Sequence, residues 1–432
     1  MLSVEENRRL TEIGPGTEMG ALLRRYWHPV AAESQFDEDP VRAIRLFGED
    51  LVIYRDRTGG YGLLARRCPH RRADLSHGYV EDCGLRCSYH GWAFDATGAC
   101  VSQPYEQTVN PGSRFRDQAA ITAYRAAAHA GLVWAYLGPD PAPLIPDYEP
   151  FSWSGGFVQI VFAEIPCNWF QCQENSIDPV HFEWLHDNWF AALDGRPDFR
   201  APTHTKLAFD EIDHGFTYRR VRADTDEQNP LWTIGRVCLW PNALFTGEHF
   251  EWRVPIDDGH TLSVMWAFEK VPEDRQPYHQ VRIPAWTGPV TDDDGKFIIS
   301  HVMNQDFLAW TGQGVIADRT QELLGASDRG VVAIRRRFLH DLDVVAAGGD
   351  PKAIVRDPAA NVAIALPIIN REQLAGPLSR SGFEARKALL RKAGFPEGYI
   401  FQAGQPAWVR AEWEAVMFGD GEAVNENEGA TL

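Results

Sequence analysis

The sequence predicts an α+β protein in two parts: an all-β module over residues 1–145, then an α+β domain over residues 146–432 that carries an antiparallel sheet and helices. Three observations predict it. From Val41 onward, short β-type runs (Ile44 to Phe47, Leu51 to Tyr54, Gly62 to Ala65) are punctuated by turn signals such as Gly48-Glu49-Asp50 and Thr58-Gly59-Gly60. The segment Gly138-Pro139-Asp140-Pro141-Ala142-Pro143 reads as a linker, because proline removes backbone donors and stiffens the chain. Beyond it, strand-like and helix-like segments mix.

Residues 18–28 look like a short helix and lead-in to the β region. Ala93-Phe94 and Ala99 to Val101 flank the turn Asp95-Ala96-Thr97-Gly98, a hairpin pattern, and the β texture runs on through Val133 to Tyr136. In the second part, 157–165 reads as a strand and 168–187 as a helix or helix plus turn. Val237 to Trp240, Phe250 to Val254 and Leu262 to Phe268 read as strands. Over 328–346, Val331, Ile334, Phe338, Leu342 and Val345 form an apolar stripe at helical spacing. The acidic tail from Gly419 is expected to fray.

Composition narrows the function. With 44% hydrophobic and 24% charged residues, the 432-residue chain reads as an ordinary soluble globular protein. A net charge of -18 disfavours nucleic acid, whose phosphates need a basic face. No apolar run is long enough to span a bilayer. The opening Met1-Leu2-Ser3-Val4-Glu5-Glu6 lacks a signal-peptide pattern, so the cytoplasm is the expected location. Seven scattered cysteines, an odd number, favour metal ligation or buried thiols over a disulfide framework.

The first chemical pattern is Cys68-x-His70 followed by Cys87-x-x-His90. Two thiolates and two imidazoles suit a Rieske 2Fe-2S cluster, with cysteines on one iron and histidines on the other, or a tetrahedral zinc site. Zinc fingers usually present both cysteines first and both histidines second. Here each loop brings one of each, the order that a cluster clasped between two loops requires. Cys83, Cys100, Cys167, Cys172 and Cys238 have no ligand-like spacing and read as buried thiols. Arg66, Arg67, Arg71 and Arg72 form either a docking patch for an electron donor or a rim paired with local acids such as Asp74.

The second pattern lies in Asn168 to His186. His181 and His186 are candidate imidazoles of a facial triad, two histidines and one carboxylate, which leaves open positions on iron. Their i, i+5 spacing does not fit one face of an ideal α-helix, so a local distortion has to turn both inward. Asp178 before Pro179 reads on its own as a helix N-cap. Glu174 and Glu183 are competing carboxylates.

Arg66-Arg67-Cys68-Pro69-His70-Arg71-Arg72-Ala73 with Cys87-Ser88-Tyr89-His90-Gly91-Trp92, and Gly14-Pro15-Gly16-Thr17 near the start, resemble the Rieske non-haem iron aromatic ring-hydroxylating oxygenases, specifically the oxygenase component of the phthalate dioxygenase branch. The resemblance covers nearly the whole chain. It implies one Rieske 2Fe-2S cluster held by Cys68, His70, Cys87 and His90, and one mononuclear Fe(II) held by His181, His186 and a third ligand. It implies that Asp178 bridges a neighbouring subunit's Rieske histidine to an iron-ligating histidine. By the family's spacing of an Asp seven residues before a Gln, the third ligand is Asp306, paired with Gln313. The family often has a Glu between them where this chain has Thr311, and Asp318, Glu322 and Asp328 stand as fallbacks.

The resemblance further implies a homotrimer that inserts oxygen from O2 into an aromatic carboxylic acid, by ring hydroxylation or by O-demethylation of a methoxy group. Electrons would come from a separate NAD(P)H-dependent reductase, with or without a ferredoxin. Gly60-x-Gly62-x-x-Ala65 runs from a turn into a strand, which does not make a dinucleotide site. Phe245, Phe250, Trp252 and Trp266 stand on strands that could floor a pocket or simply fill the core, and His204 and His249 are further pocket candidates. The alternative of another class is an iron–sulfur electron carrier or redox sensor without oxygen chemistry. Iron quantitation separates the two.

Overall fold

Pairing of the short N-terminal runs is governed by their alternation and by the turns between them. In the computed structural model, which describes residues 1–82, 84–370, 373, 379–392, 399 and 401–419, they form a six-stranded antiparallel sheet. Its order is Trp27–Ala32, Leu132–Tyr136, Ala123–His129, Tyr61–Ala65, Glu49–Arg55, Val41–Leu46. Of the short helix and lead-in expected over 18–28, the helix is Glu18–Leu23, and the lead-in ends where Trp27 opens a strand opposite Tyr136. Pro29 is tolerated there because the strand lies at the sheet edge, next to a register shift. A second, four-stranded sheet (Tyr79–Glu81, Gly84–Arg86, Ala93–Phe94, Cys100–Ser102) includes the expected hairpin. A separate small core lies under it, with Val52, Leu64, Leu75, Leu85, Trp92 and Phe94 packed around Cys68 and Cys87. The region is not purely β: Pro104–Val109 is a short helix with proline at its start, where a missing N–H costs nothing.

From Gly156 the chain builds an eight-stranded sheet. Its order is His204–Ile212, Gly215–Arg222, Arg236–Leu239, Ala243–Phe245, His249–Asp257, His260–Lys270, Gly156–Ile165, Ala285–Thr287. Every pairing is antiparallel except the last, where Ile160 lies opposite Ala285 in parallel register. The helix expected over 328–346 is Arg329–Ala346, and its Phe338 stacks on Trp240 at 3.9 Å. The same Phe338 meets Trp169 and Phe170 edge-on, which fixes helix Trp169–Asn175 against the sheet. Glu174 on that helix is buried between Arg319 and Arg335, each at 2.6 Å.

One apolar core joins the six- and eight-stranded sheets, with Trp134 of the first edge-on to Trp252 of the second at 5.4 Å. No helix among the described residues is long and apolar enough to cross a membrane. Cys83 and the tail beyond Gly419 lie outside the described residues.

Candidate metal centres and their pocket

The two Cys/His loops close in the same way. The Cys68 N–H donates to the Ala73 carbonyl (2.9 Å) and the Arg72 N–H returns to the Cys68 carbonyl (2.9 Å). In the second loop Cys87 donates to Trp92 (2.8 Å) and Gly91 returns to Cys87 (3.0 Å). Each closure needs its fifth residue in the left-handed region: Arg72 has φ 63° and Gly91 φ 74°. Trp92 of the second loop stacks on His70 of the first at 4.5 Å, and the His70 and His90 rings are 4.5 Å apart. Arg86, held by Glu81 at 2.6 Å, donates to the Gly91 carbonyl.

The result is directional. Cys68 and Cys87 are buried beside one another, while His70 and His90 are exposed. Burial pushes the Cys68 thiol up to about 11, so a metal rather than pH would hold it as thiolate. Inner thiols and outer imidazoles fit a 2Fe-2S cluster with its histidine iron at the surface. Arg66 and Arg67 both pair with Asp74, at 2.7 and 3.5 Å, and Arg71 lies over Tyr89.

The second site owes its shape to a distortion. After helix Trp169–Asn175 the chain breaks at Asp178-Pro179 and then winds as a π-helical turn, Phe182–Asp187. That wider turn brings His181 and His186, five apart, to one side. Asp306 approaches from helix Val302–Thr311: its Oδ1 lies 3.7 Å from His181 Nε2 and 3.4 Å from His186 Nε2. One ligand atom from each of the three falls within 4.8 Å of the others, and the donor set fits a mononuclear iron. Behind it, His186 Nδ1 lies 2.8 Å from Gln305 Oε1, and Gln305 Nε2 donates to the Ile299 carbonyl at 2.9 Å. Asn175 donates to Asp306 Oδ1 at 3.4 Å. Burial lowers the proton affinity of His186, but the Asp306 charge and the Gln305 hydrogen bond outweigh it and raise its pKa.

Asp178 does two things at once. Its Oδ1 accepts the Val180 N–H at 2.8 Å, an N-cap-like bond, and its Oδ2 lies 3.6 Å from His181 Nδ1. The side chain is 32% exposed, so it reaches from the surface to a triad histidine. Burial pushes its carboxyl up, but His181 and the Val180 amide outweigh that and hold it below the usual range.

The competing carboxylates are engaged elsewhere. Glu183 is bonded to His204, Glu322 to Arg335, and Asp318 to Thr320 and Gln321. Asp328 caps Gly325, and Thr311 folds back onto the Phe307 carbonyl.

A cavity of about 230 Å³ opens over the triad. His249 lines it, but Phe245, Phe250, Trp252 and Trp266 do not: they are buried in the core that joins the two sheets. Strand alternation explains the difference. Leu244, His249 and Glu251 face the cavity, and the aromatics between them face the other way. His204 lines a separate groove with Glu183. Tyr218, Arg236, Thr246 and Phe401, which sequence reasoning missed, complete the walls. Residue parity on the strands was the available signal for Thr246.

The family model described as "Rieske [2Fe-2S] domain" matches residues 26–113, and "LigXa C-terminal domain like" matches residues 239–370. The chain is 58% identical to the 5,5'-dehydrodivanillate O-demethylase oxygenase subunit of Sphingobium sp. (strain NBRC 103272 / SYK-6), over 95% of each chain. The chain belongs to the Rieske non-haem iron oxygenases. This oxygenase is also 35% identical to the phthalate 4,5-dioxygenase oxygenase subunit of Pseudomonas putida, over 81% of this chain and 88% of that one. Its fold is shared with NdmA of Pseudomonas putida CBB5 with caffeine, at TM-score 0.56 and 21% identity over 82% of this chain and 99% of that one. As an oxygenase component it carries a Rieske 2Fe-2S cluster and a mononuclear iron.

Proposed function

We propose that this Rieske oxygenase inserts oxygen from O2 into a methoxy-aromatic carboxylic acid and releases its methyl group by O-demethylation. The observation that carries the proposal is the His181, His186 and Asp306 cluster under a cavity, in a chain 58% identical to a protein named for that reaction. Ring hydroxylation of an aromatic acid is the second form of the same activity, favoured by the likeness to phthalate 4,5-dioxygenase.

In this proposal Cys68, His70, Cys87 and His90 hold the cluster, and His181, His186 and Asp306 hold the iron. The bound iron supplies O2 activation when reduced. The chain's own residues do the rest. Gln305 fixes the His186 tautomer, so that Nε2 presents its lone pair toward Asp306. Asp178 links His181 to the surface, where the exposed imidazole of a neighbouring subunit's cluster would meet it. A head-to-tail homotrimer satisfies that geometry, because heterologous contacts that close make a ring. The reductant is an NAD(P)H-dependent reductase, with or without a ferredoxin, and the location is the cytoplasm. The unit that carries the cluster spans residues 1–145, and the unit that carries the iron spans 146–432.

The balance for demethylation is one methoxyarene, one O2, two electrons and two protons in; one phenol, one formaldehyde and one water out. The test is incubation with a matched reductase, NADH and a panel of aromatic acids headed by 5,5'-dehydrodivanillate. Phenol and formaldehyde in equal amounts support demethylation, a hydroxylated ring without formaldehyde supports the second form, and NADH oxidation with no product from any acid refutes both.

A further inference from the structure

Among the described residues, the buried guanidiniums of Arg253, Arg319 and Arg335 each have a carboxylate, whereas the half-buried Arg236 at the cavity has none. Arg253 meets Glu251 at 2.7 Å, Arg319 meets Glu174 at 2.6 Å, and Arg335 meets both Glu174 and Glu322 at 2.6 Å. Such pairing is expected, since a buried charge without a counter-charge is costly. Arg236, which lines the cavity, meets no carboxylate and donates no hydrogen bond among the described residues, and its Nε is buried without a partner. Its guanidinium lies over the Phe182 ring at 5.0 Å.

Arg220 lies over the same ring at 4.3 Å. It is 6% exposed, gives one hydrogen bond to the Pro179 carbonyl at 3.2 Å, and also leaves its Nε unpartnered. The sheet register explains the crowding. Arg236 lies opposite Tyr218, so Arg220, two residues along, is its diagonal cross-strand neighbour. Of the acids on the cavity wall, Asp187 pairs with Arg222, Glu251 with Arg253, and Asp306 faces His181 and His186. Burial, with the Arg236 charge adding to it, brings Arg220 down to about 10. Two cations therefore share one aromatic ring beside the iron triad, and among the described residues neither guanidinium has an ion-pair partner of its own.

We propose that Arg236, backed by Arg220 across Phe182, is the anion subsite of the cavity, which takes the carboxylate of the aromatic acid and so sets which carbon faces His181, His186 and Asp306. A guanidinium offers a planar fork that matches a carboxylate with two parallel hydrogen bonds. Phe182 holds that fork in place, and it opens the π-helical turn that carries His186. The subsite thus ties the orientation of the substrate to the element that positions the iron. The inference rests on the aromatic-acid reading above.

The test is equilibrium binding of 5,5'-dehydrodivanillate and of its neutral diamide to the holoprotein, for wild type, Arg236→Gln and Arg236→Lys. Loss of a charge-assisted contact in a buried site predicts roughly 30-fold weaker binding of the acid to Arg236→Gln. Binding of the diamide should be unchanged, with cluster absorbance and iron content as in wild type. Arg236→Lys, which keeps the charge but not the fork, should fall between. Should Arg236→Gln lose its cluster absorbance, Arg236→Lys carries the test through the same acid-to-diamide ratio. An acid that binds Arg236→Gln as it binds wild type overturns the subsite, as does equal loss for acid and diamide. Wild type that binds the diamide as tightly as the acid overturns the aromatic-acid reading itself, a result visible before any variant is compared.

Discussion

Gln305 is where the second site is most sharply testable. Its side chain is fully buried and spans two fixed groups, accepting from His186 Nδ1 at 2.8 Å and donating to the Ile299 carbonyl at 2.9 Å. The second bond orients the amide, so the first can only have oxygen facing the imidazole. His186 must then carry its proton on Nδ1 and leave Nε2 free for a metal. Gln305→Leu keeps the volume and removes both bonds, so cavity formation does not confuse the result. Buried groups left without partners cost about 1–3 kcal/mol each. Loss of such outer support weakens metal binding about 10–100-fold, or about 1.4–2.8 kcal/mol. The assay is Fe(II) titration against a competing chelator, with cluster absorbance as the internal control for folding. Gln305→Glu, which keeps the acceptor, should retain more affinity than Leu. Wild-type iron affinity in Gln305→Leu with the cluster intact would refute the reasoning.

Three further outcomes are expected. Asp178→Asn should keep the cluster spectrum and both metals yet lose turnover, since the surface link to His181 at 3.6 Å is broken; normal product formation contradicts the bridge. His181→Ala should lose the mononuclear iron and keep the cluster, and simultaneous loss of cluster absorbance would show that the two sites are not separate. Glu251→Gln should destabilise the protein at neutral pH by about 3–5 kcal/mol in denaturant titration, because Arg253, with no exposed surface, is left charged and unpaired. Burial alone would raise the Glu251 carboxyl, but Arg253 and His249 outweigh it and pull it to about 2. Its folded pKa is depressed, so its contribution is present above the unfolded value of 4.5 and is lost as pH falls from there toward 2. The variant should lack that segment of the acid transition.

Much of both centres was legible because their ligands are close in sequence. The interleaved Cys68/His70 and Cys87/His90 pairs point to a two-loop clasp, and the structure adds that both loops close by the same two hydrogen bonds, with the thiols inside and the imidazoles at the surface. His181 and His186 were legible as a pair but not as a geometry, since i, i+5 spacing makes sense only on the π-helical turn. Asp306 was reached through resemblance alone: it comes from a distant helix, and spacing carries no signal across such a gap. The choice between pocket and core stayed open in the sequence for a physical reason. Hydrophobic size drew attention to Phe250 and Trp252, whereas a strand that separates a core from a pocket puts its large aromatics in the core and its polar residues, His249 and Glu251, in the pocket. Arg236 gave no signal at all, because an arginine's lack of a counter-charge is visible only in three dimensions.

The central claim is that one chain houses both an electron-receiving cluster and a separate iron under a substrate cavity. Metal and sulfide analysis of the purified protein tests it most directly. The account predicts three irons and two acid-labile sulfides per chain, falling to two irons with sulfide unchanged in His181→Ala. Two irons in the wild type, or zinc with no sulfide, would contradict it.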